Sequence, residues 1–91
     1  MAEGSSQAGT TLAVRYFAGA SAAAGTPGET VVLPGGSDVA ALRAELVRLH
    51  PALGPVLEVA SLLVDGVSSR DPARVLDDAS GVDVLPPFSG G

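Results

Sequence analysis

A chain of 91 residues holds one hydrophobic core, and with 46% apolar and 16% charged residues it falls outside the disordered class. A net charge of −5, with every cation an arginine, speaks against nucleic acid, whose recognition needs clustered basic residues. The absence of cysteine excludes disulfides, thiolate metal sites and a cysteine nucleophile.

Met1 to Thr10 is small and polar. It carries neither a basic nor an apolar signal-peptide region, so residues 1–10 read as a flexible N-terminal extension. No apolar stretch has membrane-spanning length, and the expectation is a soluble cytoplasmic protein. Thr11 to Ala18 alternates Leu12, Val14 and Tyr16 with Ala13, Arg15 and Phe17, the period of a half-buried strand. Gly19 to Gly25 has room for one short helical turn. Thr26-Pro27-Gly28 is a turn, Glu29 to Leu33 a second strand, and Pro34-Gly35-Gly36 its stop. The two strands form an antiparallel pair.

The helix is the clearest element. Ser37 or Asp38 can cap it, and Val39, Leu42, Leu46 and Leu49 make one apolar stripe. His50 precedes Pro51, which pushes it out of the helical region, so His50 is a C-terminal cap rather than a catalyst. Pro51 to Ala60 reads as a connection. Asp65-Gly66, between Leu62-Leu63-Val64 and Val67-Ser68, is a two-residue hairpin signal. Val75-Leu76, a turn at Asp77 to Gly81, and the strand Val82 to Leu85 complete the domain. One histidine with scattered carboxylates makes no metal site. The fold class is α+β: a mixed sheet of four to five strands with one main helix packed across it, compatible with a β-grasp over residues 11–85.

Residues 86–91 read Pro86-Pro87-Phe88-Ser89-Gly90-Gly91. Two prolines cannot continue a central strand and favour an extended conformation. Six extended residues reach roughly 20 Å, so a flexible diglycine tail can thread a narrow channel in a partner. A free carboxylate becomes an acyl donor only after activation, for example as a mixed anhydride with AMP. Glycines suit this chemistry because any Cβ would obstruct close approach to the backbone. The protein then acts as a group carrier while larger partners supply catalysis. Arg15, Arg43, Arg48, Arg70 and Arg74 look scattered, and no catalytic grouping can be assembled, so the chain is not catalytic alone.

From Leu12 to Gly91 the chain resembles the small subunit of molybdopterin synthase, within the ubiquitin-like (β-grasp) sulfur carriers. The resemblance rests on Arg15-Tyr16-Phe17-Ala18 with the alanine-rich segment after it, on the helix Asp38 to His50, and above all on Leu76 through Leu85-Pro86-Pro87-Phe88-Ser89-Gly90-Gly91. It implies that an E1-like adenylating enzyme activates Gly91 with ATP. A persulfide sulfur donor then converts Gly91 to a thiocarboxylate, and the large synthase subunit passes the sulfur to a pyranopterin in molybdenum cofactor biosynthesis. Gly91 is the modified residue and Gly90 its required neighbour. Ser89, Phe88, Pro87 and Pro86 are tail residues that meet partners. No cofactor, nucleic acid or membrane is implied. The family's Leu-x-x-Gly-Asp-Glu-Val reads here as Leu76, Ala79, Ser80, Gly81 and Val82, with the turn glycine displaced toward Gly81. Phe88 stands where a smaller aliphatic residue is usual. Rival readings are a carrier for thiazole, cysteine or secondary-metabolite biosynthesis, a ubiquitin-like protein modifier, and a plain interaction domain.

Overall fold

The computed structural model describes residues 9–87. Strand β1 (Gly9–Tyr16) pairs antiparallel with β2 (Gly28–Pro34) over seven residues, with the short helix α1 (Gly19–Ala24) between them. Helices α2 (Val39–Leu49) and α3 (Leu53–Val59) follow, then the hairpin of β3 (Ser61–Val64) and β4 (Val67–Ser68), and last β5 (Gly81–Leu85). The sheet order is β2-β1-β5-β3-β4. The last strand is therefore the central one, parallel to β1 and antiparallel to β3. This is the β-grasp read from the sequence, with five strands among the described residues.

Period-two alternation sorts the sheet's two faces. Leu12, Val14 and Tyr16 are at most 3% exposed, and Val82 and Val84 are fully buried. Against them pack Val39, Leu42 and Leu46 of α2. Asp38 settles the capping alternative: its Oδ1 accepts the Ala41 N–H at 2.9 Å, while the Ser37 hydroxyl turns back to the Pro34 carbonyl.

Leu49, expected in the buried stripe, is 39% exposed. It lies about 60° from Leu46 in helical projection, on the rim of the stripe and in the last turn. The expected connection Pro51–Ala60 contains α3, which buries Leu53 and Leu57. Pro55 sits in its first turn, where a missing N–H breaks no bond. β1 begins at Gly9, ahead of the expected Thr11, and buries Thr10.

The hairpin follows its sequence signal. Asp65 and Gly66 take φ of 51° and 82°, the positive pair that a tight hairpin requires. The Asp65 carboxylate then accepts the Gly81 N–H at 2.8 Å and the Ser80 hydroxyl at 2.9 Å, fastening the turn to the start of β5. Those two bonds hold its carboxyl below the usual range. Before β5, the left-handed position is taken by Ala79, at φ 68°, and not by Gly81, which opens the strand. The expected displacement of the turn glycine toward Gly81 therefore supplies no left-handed residue.

Candidate functional site

The site is built outward from β5. Being central, this strand is hydrogen-bonded on both edges: Val84 pairs with Tyr16 on one side and Leu62 on the other. Pairing ends where Pro86 removes a donor. Pro86 is half-buried and Pro87 exposed. Phe88, Ser89, Gly90 and Gly91 lie outside the described residues. Pro86-Pro87 thus follow directly on a strand that is paired along both edges.

Around that root, the sheet face away from the helices presents side chains to which the sequence reading assigned no role at the site. Arg15 Nε and Nη2 donate to the two carboxylate oxygens of Asp83, at 2.8 and 3.0 Å. The Arg15 guanidinium lies 5.6 Å from the ring centre of Phe17, itself 36% exposed. Leu63 and Leu85 are half-buried on the same face. The signal was available: the alternation that buries Val14 and Tyr16 must turn Arg15 outward. The arrangement is a polar pair set among apolar side chains beside the tail's root. It can dock a protein surface but offers no nucleophile.

On the helix side of the same end, Tyr16, Glu29 and His50 form a cluster. The Tyr16 hydroxyl donates to Glu29 Oε2 at 2.6 Å, and His50 Nε2 lies 2.6 Å from that same oxygen. The two rings meet edge to face. His50 is the α2 C-cap, its backbone N–H bonding the Leu46 carbonyl, while its ring ties the helix end to β2. Among the described residues no group of three or more His, Asp or Glu is placed to hold a metal ion.

Burial first, and then the bond to Glu29, push the Tyr16 phenol well above its ordinary pKa. A raised value means that folding favours the protonated phenol. Its contribution is whole below the unfolded value near 10 and is lost as pH rises beyond it. The chain has one tyrosine, no cysteine and no lysine, so Tyr16 dominates the alkaline limb. The urea midpoint should fall above about pH 10 in the native chain. In Tyr16→Phe it should be lowered at neutral pH by about 1 kcal/mol of stability yet flat with alkali. An equal alkaline slope in both proteins would contradict this assignment.

Comparison with known proteins bears on the tail. The sequence model of the ThiS family matches residues 14–91, from the middle of β1 through the diglycine.

The chain belongs to the ThiS family.

Among solved structures, this ThiS-family chain is similar to a candidate molybdopterin converting factor subunit 1 from Pyrococcus furiosus. The two share 26% identity and a TM-score of 0.77, over 87% of this chain and 99% of that one. Small archaeal modifier protein 1 of Haloferax volcanii is 20% identical with a TM-score of 0.79, over 88% of this chain and 100% of the other. A complex of subunits 1 and 2 of molybdopterin-converting factor from Helicobacter pylori matches at 21% identity and a TM-score of 0.66, over 90% of this chain and 100% of its counterpart. A search of curated proteins finds no match. The resemblance to ubiquitin-like sulfur carriers is borne out at the level of the ThiS family. No helix of the described residues is long and apolar enough to cross a membrane.

Proposed function

We propose that this chain is a sulfur carrier, the small subunit of a molybdopterin synthase, and that it bears sulfur as a thiocarboxylate on Gly91. The observation that carries the reading is the family match running through Leu85-Pro86-Pro87-Phe88-Ser89-Gly90-Gly91. An E1-like enzyme joins the Gly91 carboxylate to AMP from ATP and releases pyrophosphate. The terminal sulfur of a donor persulfide displaces AMP, and a thiol then cleaves the sulfur–sulfur bond, leaving the thiocarboxylate and a disulfide. The chain contributes position rather than catalysis. β5 holds the root still, the proline pair directs the tail away from the sheet, and the glycines let enzyme groups reach the carbonyl carbon.

The large synthase subunit is the proposed receiver, a cytoplasmic protein in this reading. The similarity to subunit 1 proteins supports it, one of them in complex with subunit 2. The similarity to a small archaeal modifier protein favours a second reading, a protein modifier joined through Gly91 to lysine. A chain without lysine could be attached to other proteins in that role but could not extend into lysine-linked chains.

The readings separate by binding. Mixed with a pterin-binding large subunit and, separately, with a thiazole synthase, the chain should bind the first. Selective binding of the second would move the reading to another branch of the family. Phe88 sharpens the test, because an apolar ring on a proline-led tail gains about 1.5–3 kcal/mol when a partner pocket buries it. Phe88→Ala should weaken binding to the large subunit roughly tenfold or more and leave thermal stability nearly unchanged. Lost stability with unchanged affinity would place Phe88 on the domain itself.

A further inference from the structure

Five arginines carry the side-chain positive charge of a chain with ten acidic residues. Two are paired: Arg15 with Asp83 at 2.8 Å and Arg48 with Glu45 at 2.7 Å. The other three, Arg43, Arg70 and Arg74, looked scattered in the sequence but converge where α2 faces the residues after β4. Among the described residues none of these three makes an ion pair with a carboxylate. Arg43 and Arg70 both line two adjoining concavities of about 280 and 360 Å³. Among the described residues no acidic side chain lines either one.

The cleft is held in shape. Arg43 Nη2 donates to the Leu57 carbonyl at 2.9 Å, which fixes one arm of its fork against α3. Arg74 Nη1 donates to the hydroxyl of Ser69, a residue of the wall. The first-turn N–H groups of α2 are engaged, Val39 with the Arg74 carbonyl, Ala40 with the Pro72 carbonyl and Ala41 with Asp38. The positive character of the cleft therefore comes from guanidinium groups and not from a bare helix end. Asp71 accepts the Ala73 N–H and Asp65 the Ser80 hydroxyl and the Gly81 N–H, so neither carboxylate is hydrogen-bonded to Arg43 or Arg70.

Its position matters as much as its charge. Ser69 N–H bonds the Leu62 carbonyl, continuing the ladder past β4, and Ser61 pairs with Leu85. Arg70 thus stands level with Ser61 and two strand spacings, about 10 Å, from Leu85 at the tail's root. A protein that packs against the tail's root comes within side-chain reach of the cleft.

We propose that the Arg43–Arg70 cleft is a docking site for acidic side chains of the protein that takes up the tail, carboxylates seating on the guanidinium forks. The proposal rests on the tail-uptake reading above. Guanidinium groups match carboxylates in bidentate geometry, and a charged pair at the rim of an interface sets association rate and orientation more than final affinity. In a chain of net charge −5, a cleft lined by arginines also favours one direction of approach for an acidic partner surface.

The isotope-labelled full chain, titrated with hexaglutamate at low salt, should show shifts confined to the Ser68–Arg70 amides and the Arg43 side chain. Added salt should reverse them. Arg43→Gln with Arg70→Gln should weaken the response roughly tenfold or more, and the exposed Arg70→Gln alone serves if the double variant fails to fold. A chain lacking Gly90 and Gly91 should keep the response, so failure of the tail chemistry and failure of the cleft are told apart. Shifts spread equally over Arg15 and Arg48, or surviving the substitutions, overturn the proposal. Inorganic phosphate giving the same shifts at lower concentration makes the cleft a small-anion site and overturns it too. With the large subunit, the double variant should associate roughly tenfold more slowly at low salt and equally at high salt. An unchanged rate rules out the docking role.

Discussion

Leu46→Ala should lower the unfolding free energy by about 2–5 kcal/mol, a large share of what a domain of this size possesses. Leu46 is fully buried in the middle of the α2 stripe, in one cluster with Leu12, Val14 and Val84. Removing its branched end leaves a void between the helix and the two central strands, which the rigid sheet cannot close. The urea midpoint should fall with little change in slope, because the surface exposed on unfolding hardly alters. Leu49→Ala is the matched control, since that side chain is 39% exposed and should cost less than about 1 kcal/mol. Equal losses for the two would show that the helix does not pack as described.

Deleting Gly91 should have the opposite profile: no change in stability and sulfur delivery reduced at least roughly a hundredfold. Gly91 lies six positions past Leu85, the last residue of β5, so the core is untouched. The shortened chain still ends in glycine and a carboxylate, but that carboxylate stops about 3.3 Å short. Acyl transfer tolerates displacements of that size poorly, because the reacting atoms must be held nearly in contact. The assay is sulfur delivered to the acceptor with the activating enzyme, ATP and donor present. Undiminished delivery by the shortened chain would remove Gly91 from the mechanism.

Much of this was legible because strand and helix periods differ. Leu12, Val14 and Tyr16 could share a buried face only in a strand, and Val39, Leu42 and Leu46 only on a helix. Asp65-Gly66 announced its own turn geometry. The parts that escaped depend on tertiary partners. Leu53, Val56, Leu57 and Ala60 do follow a helical spacing, but Gly54 and Pro55 in the first turn break the local helix signal, and packing against the core supplies the rest. His50 read correctly as a helix end, but nothing local ties its ring to Glu29, 21 residues away. The arginine cleft was invisible for the same reason: Arg43 and Arg70 meet only after β3 and β4 fold back beside α2. Pro86-Pro87 and the diglycine were readable as chemistry, and what the fold adds is that they follow the central strand.

The central claim is that Gly91 carries sulfur, and intact-mass measurement of the protein tests it most directly. After incubation with its E1-like enzyme, ATP and a persulfide donor, the chain should gain the mass difference between one sulfur and one oxygen. Fragmentation should place that gain on Gly91, and omitting ATP should abolish it. A chain that acquires no sulfur while its carboxylate is being adenylated, or that carries the added mass anywhere but Gly91, would contradict the account.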